Sequence, residues 1–405
     1  MSWESSTLSE ISLIGDGAHA ALKRVDSGIP YLTAKNITKS GVDYSNMDYI
    51  SEENYNKHFK EKSNALTQPK TDDILYSIIG SIGGVYVVRD EKIGISSSVA
   101  IFRADREKIL PHYLAYFLKS PSFDAQVQAI KGGVAQGFMS LGKLGMVNIT
   151  YPEDKEYQKR IVDVLSAYDS LIENNQKQIK LLEEAAQRLY KEWFVDLHFP
   201  GYEDVELVNG VPKGWTYKRV EEFGEVITGK TPSTSKTEYY GGNIPFVTIP
   251  DMHGKVFPLV TQKTLTKVGA DTQKNKYLPA NTVIVSCIAT VGLVNIAVEP
   301  CQTNQQINSV ILLNDNDLYF FYESMERIKA LLDGVGSNGA TMTNVNKTKF
   351  SSIKVLYPTE DLVIRYNEFC KPIFDKILVL SKGILLSKQA RDRLLPKLMS
   401  GKFEV

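Results

Sequence analysis

The sequence predicts an α+β protein that contains two tandem domains of one type, each followed by a long helix, with the two helices paired as an antiparallel coiled coil. Three observations support this prediction: an internal repeat over most of the 405 residues, a heptad spacing of apolar residues in two segments, and β-branched runs followed by helical stretches in each half. A chain of this length usually exceeds one hydrophobic core.

The two halves of the chain repeat one another. IPYLTAKNI at 29–37 recurs as IPFVTIPDM at 244–252, and DILYSIIGSIGGV at 73–85 recurs as TVIVSCIATVGLV at 282–294. Segments 110–152 and 316–358 align without a gap and both end in Tyr-Pro. A repeat of this length indicates two similar structural units.

Each half carries the pattern of a mixed domain. Short β-branched runs, such as 73–79, 84–88 and 98–103, precede a helical stretch near 111–130, a glycine-rich loop and a final strand. This order favours an α+β domain with a curved, mainly antiparallel sheet.

A coiled-coil seam is predicted after each domain, and its two halves are related by a shift of 205 positions. Asn175 is a polar residue within the first half, of the kind that fixes register. Because the chain offers neither helix a third partner, pairing with each other is favoured; the alternative is that each helix packs only on its own domain. The predicted apolar seam residues are Ile161, Leu165, Ile172, Ile179, Leu182 and Leu189 in the first helix, and Ile373, Ile377, Leu380, Ile384, Leu394 and Leu398 in the second.

One segment matches a nucleotide-binding motif. GEVITGKT, from Gly224 to Thr231, fits G-x-x-x-x-G-K-[ST], which binds phosphate only when a buried strand leads through the loop into a helix. The preceding YKRVEEF carries four charges, and Pro232 with the following STSKTEYYGG cannot propagate a helix. We interpret the match as a fortuitous fit in a strand and a turn.

Composition restricts the class of protein. The 47 basic and 47 acidic residues balance, so any nucleic-acid contact must come from local patches. The start MSWESSTLSE lacks the features of a secretory signal, and Cys287, Cys301 and Cys370 lack metal-site spacing, which indicates reduced core cysteines and a cytoplasmic protein. The uncharged run 277–298 is rich in β-branched residues and predicts a buried strand pair rather than a membrane span.

The residue patterns of common catalytic sites are missing from the sequence. The five histidines have no metal-site spacing, and no Pro-Pro dipeptide supplies the usual loop of an amino-methyltransferase. The adjacent acids Asp72-Asp73, Glu183-Glu184 and Glu221-Glu222 are interpreted as solvated charges on surfaces. The chain is therefore expected to be non-catalytic, with no cofactor and no metal of its own.

Two lysine-rich insertions lie at matching positions of the repeat. One spans 253–277 with the single acid Asp271, and the other spans 55–70 with Glu61. Solvated charge is the ordinary explanation of one such run, but two at equivalent positions favour contact with DNA phosphates and base edges. The candidate DNA-binding residues are His253, Lys255, Lys263, Lys267, Lys274 and Lys276 in the second domain, and Lys57, His58, Lys60 and Lys62 in the first.

These features together resemble the specificity subunits of type I restriction-modification systems. The segment VPKGWTYKRVEEFGEVITGKTPSTSKTEYYGGNIPFVTIPDM is similar to the opening of a target-recognition domain in that family. LLEEAAQRLYKEWF and LLSKQARDRLLPKLMSG resemble the ends of the family's two helical spacers. The resemblance covers essentially the whole chain, although the start of the first domain is shorter and more divergent.

The resemblance implies two target-recognition domains, over 1–155 and 201–360, that each read one half of a split, asymmetric double-stranded DNA sequence. It implies spacer helices over 156–200 and 361–405 that set the distance between the halves. It also implies two modification subunits that methylate adenine with S-adenosylmethionine, and restriction subunits that use ATP and Mg²⁺. No membrane partner is expected.

Two other classes of protein remain open on sequence grounds. A restriction-methylation fusion enzyme is opposed by the missing methyltransferase loop. A coiled-coil scaffold that carries carbohydrate- or protein-binding modules would lack the salt-sensitive binding to duplex DNA that lysine contacts produce.

Overall fold

The computed structural model of the chain describes residues 2–38, 41–61, 66–80, 82–131, 139–328 and 344–405. The chain divides into two compact units. The first comprises Met1–Leu171 with Ser387–Val405, and the second comprises Ile172–Leu386.

The first unit mixes short strands with helices. Its strands are β1 Trp3–Thr7, β2 Ser12–Asp16, β3 Arg24–Val25, β4 Ile29–Leu32, β5 Ile37–Thr38, β6 Gly41–Val42, β7 Asp48–Ile50, β8 Ile74–Ser77, β9 Val85–Val87, β10 Gly94–Ile95, β11 Val99–Ala104 and β12 Asn148–Pro152. Its helices are α1 Leu8–Ile11, α2 Glu52–His58, α3 Pro111–Leu118, α4 Pro121–Lys131, α5 Leu141–Gly145 and the first part of α6 Lys155–Phe194.

The second unit repeats this series of elements. Its strands are β13 Leu207–Val208, β14 Val211–Pro212, β15 Thr216–Arg219, β16 Gly224–Thr228, β17 Tyr240–Val247, β18 Lys263–Leu265, β19 Val283–Ser286, β20 Val294–Ile296, β21 Gln302–Thr303, β22 Ile307–Leu312 and β23 Lys354–Tyr357. Its helices are α7 Val220–Phe223, α8 Ile249–Met252, α9 Lys267–Asp271, α10 Leu318–Glu326, α11 Lys347–Ser352 and most of α12 Glu360–Met399.

The strand orders confirm the predicted repeat. One sheet has the order β2-β11-β8-β9 in the first unit and β16-β22-β19-β20 in the second. The order β10-β4-β7 of a second sheet matches β21-β17-β18, and the pair β1-β12 matches β15-β23. Most strand pairs are antiparallel, as predicted, and only β4–β10 and β17–β21 among the described pairs are parallel. The expectation of one sheet in each domain is wrong, because each domain divides its strands among several sheets.

The central strands of each unit separate two hydrophobic cores. Successive side chains of a strand point to opposite faces. In β8, Tyr76 packs in the core that contains α3, whereas Leu75 packs in the core of the β4 sheet. In β19, Val285 and Ile284 divide between two cores in the same way. Burial on both faces explains why these strands are continuous apolar runs.

The two long helices run antiparallel within each unit. In the second unit the Tyr366 hydroxyl donates to the Ala186 carbonyl over 3.3 Å, and Asn175 lies against Gly383. In the first unit Arg391 Nη1 of α12 donates to Asp169 Oδ1 of α6 over 2.6 Å, and Arg160 Nε donates to the carbonyl of Val405, beyond the end of α12, over 3.1 Å. In both units the later residues of α12 therefore meet the earlier residues of α6, which is the predicted antiparallel pairing.

The residues of the predicted seam are buried or half-buried. The helices also pack on their own domains. Asp169 of α6 accepts a hydrogen bond from the Tyr116 hydroxyl over 2.8 Å, and Phe374 of α12 stacks on Tyr319 of α10 at a ring-centroid distance of 4.4 Å. Each long helix therefore pairs with the other helix and also packs on its own domain, so both alternatives hold. The buried seam residues are Ile161, Leu165, Ile172, Ile377, Leu380 and Leu398, and the half-buried ones are Ile179, Leu182, Leu189, Ile373, Ile384 and Leu394.

Two other predictions concern buried residues. The run 277–298 contains the antiparallel pair β19–β20, and Cys287, Cys301 and Cys370 are buried free thiols, as expected. The interpretation of adjacent acids as solvated charges is wrong for Asp73. Its carboxylate is buried and accepts two hydrogen bonds from Arg103, at 2.8 and 2.6 Å.

Candidate nucleic-acid interface

The motif-like segment GEVITGKT forms a strand and a loop. Residues 224–228 form β16, an edge strand that pairs antiparallel with β22, and the next elements after Thr231 are a 3-10 turn at Thr237–Tyr239 and β17. No α-helix begins at this loop, which confirms that the local context differs from a phosphate loop.

Close packing explains the glycines of this segment. A Cβ at Gly229 would lie 2.2 Å from the carbonyl oxygen of Asn304, and one at Gly224 would lie 2.0 Å from that of Ile311. The first unit repeats the close approach, since a Cβ at Gly17 would lie 2.1 Å from the carbonyl oxygen of Ile95. Gly229 thus lets two backbone segments meet.

The lysine-rich insertion of the second unit lies between β17 and β19. Lys263 is in β18, Lys267 begins α9 after the N-cap Thr266, and Lys274 and Lys276 form a 3-10 turn. His253, Lys255, Lys263, Lys267 and Lys274 are exposed, and Lys276 is half-exposed. Lys267 forms a 3.2 Å ion pair with Asp271, and its hydrogen bond lowers the pKa of that carboxyl group. The fold therefore presents most of the candidate cations to solvent.

A buried glutamine joins this insertion to the loop after β16. Gln273 Nε2 donates to the carbonyl of Lys230 over 2.7 Å and to Gln302 Oε1 over 2.8 Å. Gln302 Nε2 in turn donates to the carbonyl of Ala270 over 3.0 Å. The loop after β16, strand β21 and the cationic insertion therefore form one fixed surface. We call the residues 229–239, 263–277 and 302–306 the polar edge.

The matching insertion of the first unit is described only in part. Lys57 and His58 end α2, and Lys57 and Lys60 are exposed while His58 is half-buried. Lys62 lies outside the described residues. The end of the insertion is held in place by Arg103 Nη2, which donates to the carbonyl of Gln68 over 3.1 Å. Because α2 and α9 occupy equivalent places in the strand order, the connection that carries Lys57, His58 and Lys60 is equivalent to the one that carries Lys267, Lys274 and Lys276.

The described part of the chain contains no group of three or more His, Cys, Asp or Glu side chains arranged to hold a metal ion. Of the helices in these residues, none is both long and apolar enough to span a membrane.

The chain matches the family described as Type I restriction modification DNA specificity domain over residues 1–184 and 212–362. These two matches cover the two repeated domains described above. The chain belongs to the type I restriction-modification DNA specificity family. Its role is to provide the DNA sequence specificity of a type I system.

Relatives of this specificity subunit support the assignment. It is 31% identical to the type I restriction enzyme HindI specificity subunit of Haemophilus influenzae, over 82% of this chain and 86% of that protein. It is 26% identical to the MjaIX specificity subunit of Methanocaldococcus jannaschii, over 100% and 94% respectively. The fold resembles the solved S subunit from M. genitalium, with a TM-score of 0.60, 16% identity, and coverage of 98% of this chain and 96% of that one.

Part of the polar edge of this specificity subunit was not predicted from sequence patterns. Lys230 and Gln305 are exposed, and Thr231 hydrogen-bonds Gln305 across 74 positions of sequence. The run QTNQQ at 302–306 is a local signal for a polar surface. Only the strand order, however, places that run beside the loop after β16.

Proposed function

We propose that this chain is a non-catalytic subunit whose two recognition domains, over 1–155 and 201–360, each read one half of a bipartite, asymmetric site in double-stranded DNA. The proposal rests on the observation that one domain architecture occurs twice, with exposed cations on the same connection in both copies. Cations on a fixed surface position a protein on phosphates, while neighbouring polar groups read base edges.

The spacer helices, over 156–200 and 361–405, are proposed to set the distance between the half-sites and to dock two modification subunits. Each of the two helices is 40 residues long. Exposed apolar side chains on them suit contact with another protein, among them Leu181 at 65% exposure and Val379 at 62%. In this proposal the modification subunits use S-adenosylmethionine, and the restriction subunits use ATP and Mg²⁺. The complex works in the cytoplasm.

A domain exchange tests the proposed division of the site. Residues 215–358 are replaced by the same region of a relative with a different recognition sequence. The chimera is co-expressed with the modification subunits, and methylated positions are sequenced across the genome. We expect one half of the methylated sequence to change and the other half to remain.

The reciprocal chimera, which replaces residues 3–152, is the matched control and should change only the other half. A change in both halves in either chimera would contradict independent reading by the two domains. The absence of any sequence-specific methylation with the unaltered chain would contradict the proposed function itself.

A further inference from the structure

We infer that Gln305 is a base-reading residue of the second recognition domain, that it contacts an A·T pair, and that Thr231 positions its amide. This inference rests on the proposed function, because it names a specificity residue within the half-site read by that domain. It concerns the polar edge, where the strand order brings residues 229–231 beside residues 302–306.

Gln305 is the exposed residue of a turn whose other residues are buried or half-buried. Gln302, Thr303 and Asn304 before it are buried, and Ile307 after it is fully buried. The turn is fixed by its own hydrogen bonds, since Asn304 Nδ2 donates to Gln306 Oε1 over 3.0 Å and the Gln306 amide donates to Asn304 Oδ1 over 3.1 Å. A polar side chain on so rigid a support loses little freedom when it binds.

The loop after β16 is held against this turn. The Lys230 amide donates to the Thr303 carbonyl over 2.9 Å, and the Gly229 amide donates to the Ile307 carbonyl over 3.1 Å. The Thr231 hydroxyl then donates to Gln305 Oε1 over 2.6 Å. This bond holds Oε1 of Gln305 at the loop after β16. Both hydrogens of Nε2 remain available, and Oε1 keeps a second lone pair.

These groups suit an adenine edge in the major groove. Glutamine recognises adenine by donating to N7 and accepting from N6, whereas a phosphate oxygen would use only the donor. Two parts of the polar edge offer cations for the flanking phosphates. Lys230 is exposed beside Thr231, and the lysines of the insertion are joined to the same loop through Gln273. The polar edge therefore combines an amide that can read a base with cations that can bind the DNA backbone.

The equivalent site in the first domain has the same backbone hydrogen bond but different side chains. There the Ala18 amide donates to the Ile95 carbonyl over 2.9 Å, as Lys230 does to Thr303. His19 replaces Thr231 and pairs with Asp16, and Ser97 replaces Gln305. A common support that carries different polar side chains is what two domains need if they read different half-sites.

The test uses the complex with its modification subunits and sequences genomic methylation. Gln305→Ala should relax base preference at one A·T position of the second domain's half-site, with discrimination falling roughly tenfold to a hundredfold. The other positions, the other half-site and the salt dependence of DNA binding should not change. Ser97→Ala is the matched control and should leave the second half-site intact.

Two substitutions of Thr231 test its positioning role. Thr231→Val keeps the side-chain shape but removes the hydroxyl donor, so it should relax the same position. Thr231→Ser keeps the donor and should restore the preference, which a merely structural role would not predict. Gln305→Glu should shift preference toward cytosine, because a carboxylate accepts from cytosine N4.

An unchanged methylation sequence in Gln305→Ala would overturn the inference, and so would a uniform loss of binding at all sites with a smaller salt slope, which indicates a phosphate contact. If the domain exchanges give the expected result, either of these outcomes would contradict only the role of Gln305. Failure of the domain exchanges themselves would sink the proposed function.

Discussion

Arg391 Nη1 lies 2.6 Å from Oδ1 of Asp169 and joins the two long helices within the first unit. The other carboxylate oxygen of Asp169 accepts from the Tyr116 hydroxyl of α3 over 2.8 Å. The side chains of Arg391 and Asp169 are 24% and 31% exposed. Asp169 therefore couples α12, α6 and α3 in a partly buried site.

Asp169→Asn should destabilise the first unit, because the partly buried Arg391 guanidinium would keep only the exposed Asp392 as a counter-charge. The cost should fall between that of a surface pair and that of a buried one, at about 1–2 kcal/mol. Denaturant unfolding measures it. Adding Arg391→Met should recover most of the loss, whereas Asp375→Asn, at an exposed ion pair, should cost less than ~0.5 kcal/mol. Equal losses in both single variants would contradict the coupling.

Buried carboxyl groups should make the stability of the second unit depend on pH. Glu323 of α10 is buried, and burial together with the charges of Glu326 and Glu183 raises its pKa to about 8, against the opposing effect of Arg327. Burial and the charge of Glu183 raise the pKa of Glu326 to about 7. Both folded-state pKa values lie above the ordinary 4.5. The protonated forms therefore fit the fold, and stability should decrease as pH rises from about 4.5 to about 8.

Glu323→Gln should remove much of this pH dependence, because glutamine is neutral throughout. The variant should be more stable than the unaltered chain at pH 8, by on the order of 2 kcal/mol, and the difference should become small near pH 5. Denaturant unfolding from pH 5 to 9 measures both curves. Glu225→Gln, at an exposed position of β16, is the control. A stability difference that stays constant with pH would rule out titration of Glu323.

Three features were predictable because each can be recognised from contiguous stretches of sequence. They are the repeat, the two long helices and the absence of a phosphate loop. Periodicity placed α6 and α12. The charges of YKRVEEF before the motif, and Pro232 with the turn-forming residues after it, excluded a phosphate loop. Pairings between distant residues were not predictable. Asp73 is buried because Arg103, thirty positions away, neutralises it. Gln305 becomes a candidate reader only because β22 pairs with β16.

The cationic insertion should contribute salt-dependent DNA affinity. Replacing Lys263, Lys267 and Lys274 with glutamine should weaken binding to all sequences and flatten the plot of log affinity against log salt by up to ~0.9 per lost phosphate contact. Binding of duplex DNA by the assembled complex at several salt concentrations measures this.

Exposed lysines elsewhere in the second unit give the control for that experiment. Replacing Lys213, Lys349 and Lys354 removes the same charge from places outside the polar edge. If both triple variants lose affinity and slope equally, total charge rather than the insertion governs binding. If neither changes, the insertion faces away from DNA.

The last prediction tests whether the helices set the spacing of the half-sites. Because Asn175 lies against Gly383 within the second unit, the heptad that faces residues 172–178 is 380–386. Deleting both heptads returns each helix to the same face and keeps the seam in phase. The deletion should shorten the pair by roughly 10 Å at ~1.5 Å per residue.

Ten ångströms correspond to about three base pairs at ~3.4 Å each. Methylation by the shortened complex should therefore move to sites whose non-specific spacer is about three pairs shorter, with both half-sequences intact. A library that contains every spacer length measures the shift, because the loss of three pairs also rotates one half-site about the duplex axis. Deletion of residues 172–178 alone is the control and should prevent assembly, since it leaves seven residues of α12 without their partners. Efficient methylation at the original spacing by the doubly deleted chain would show that the helices only dock the modification subunits.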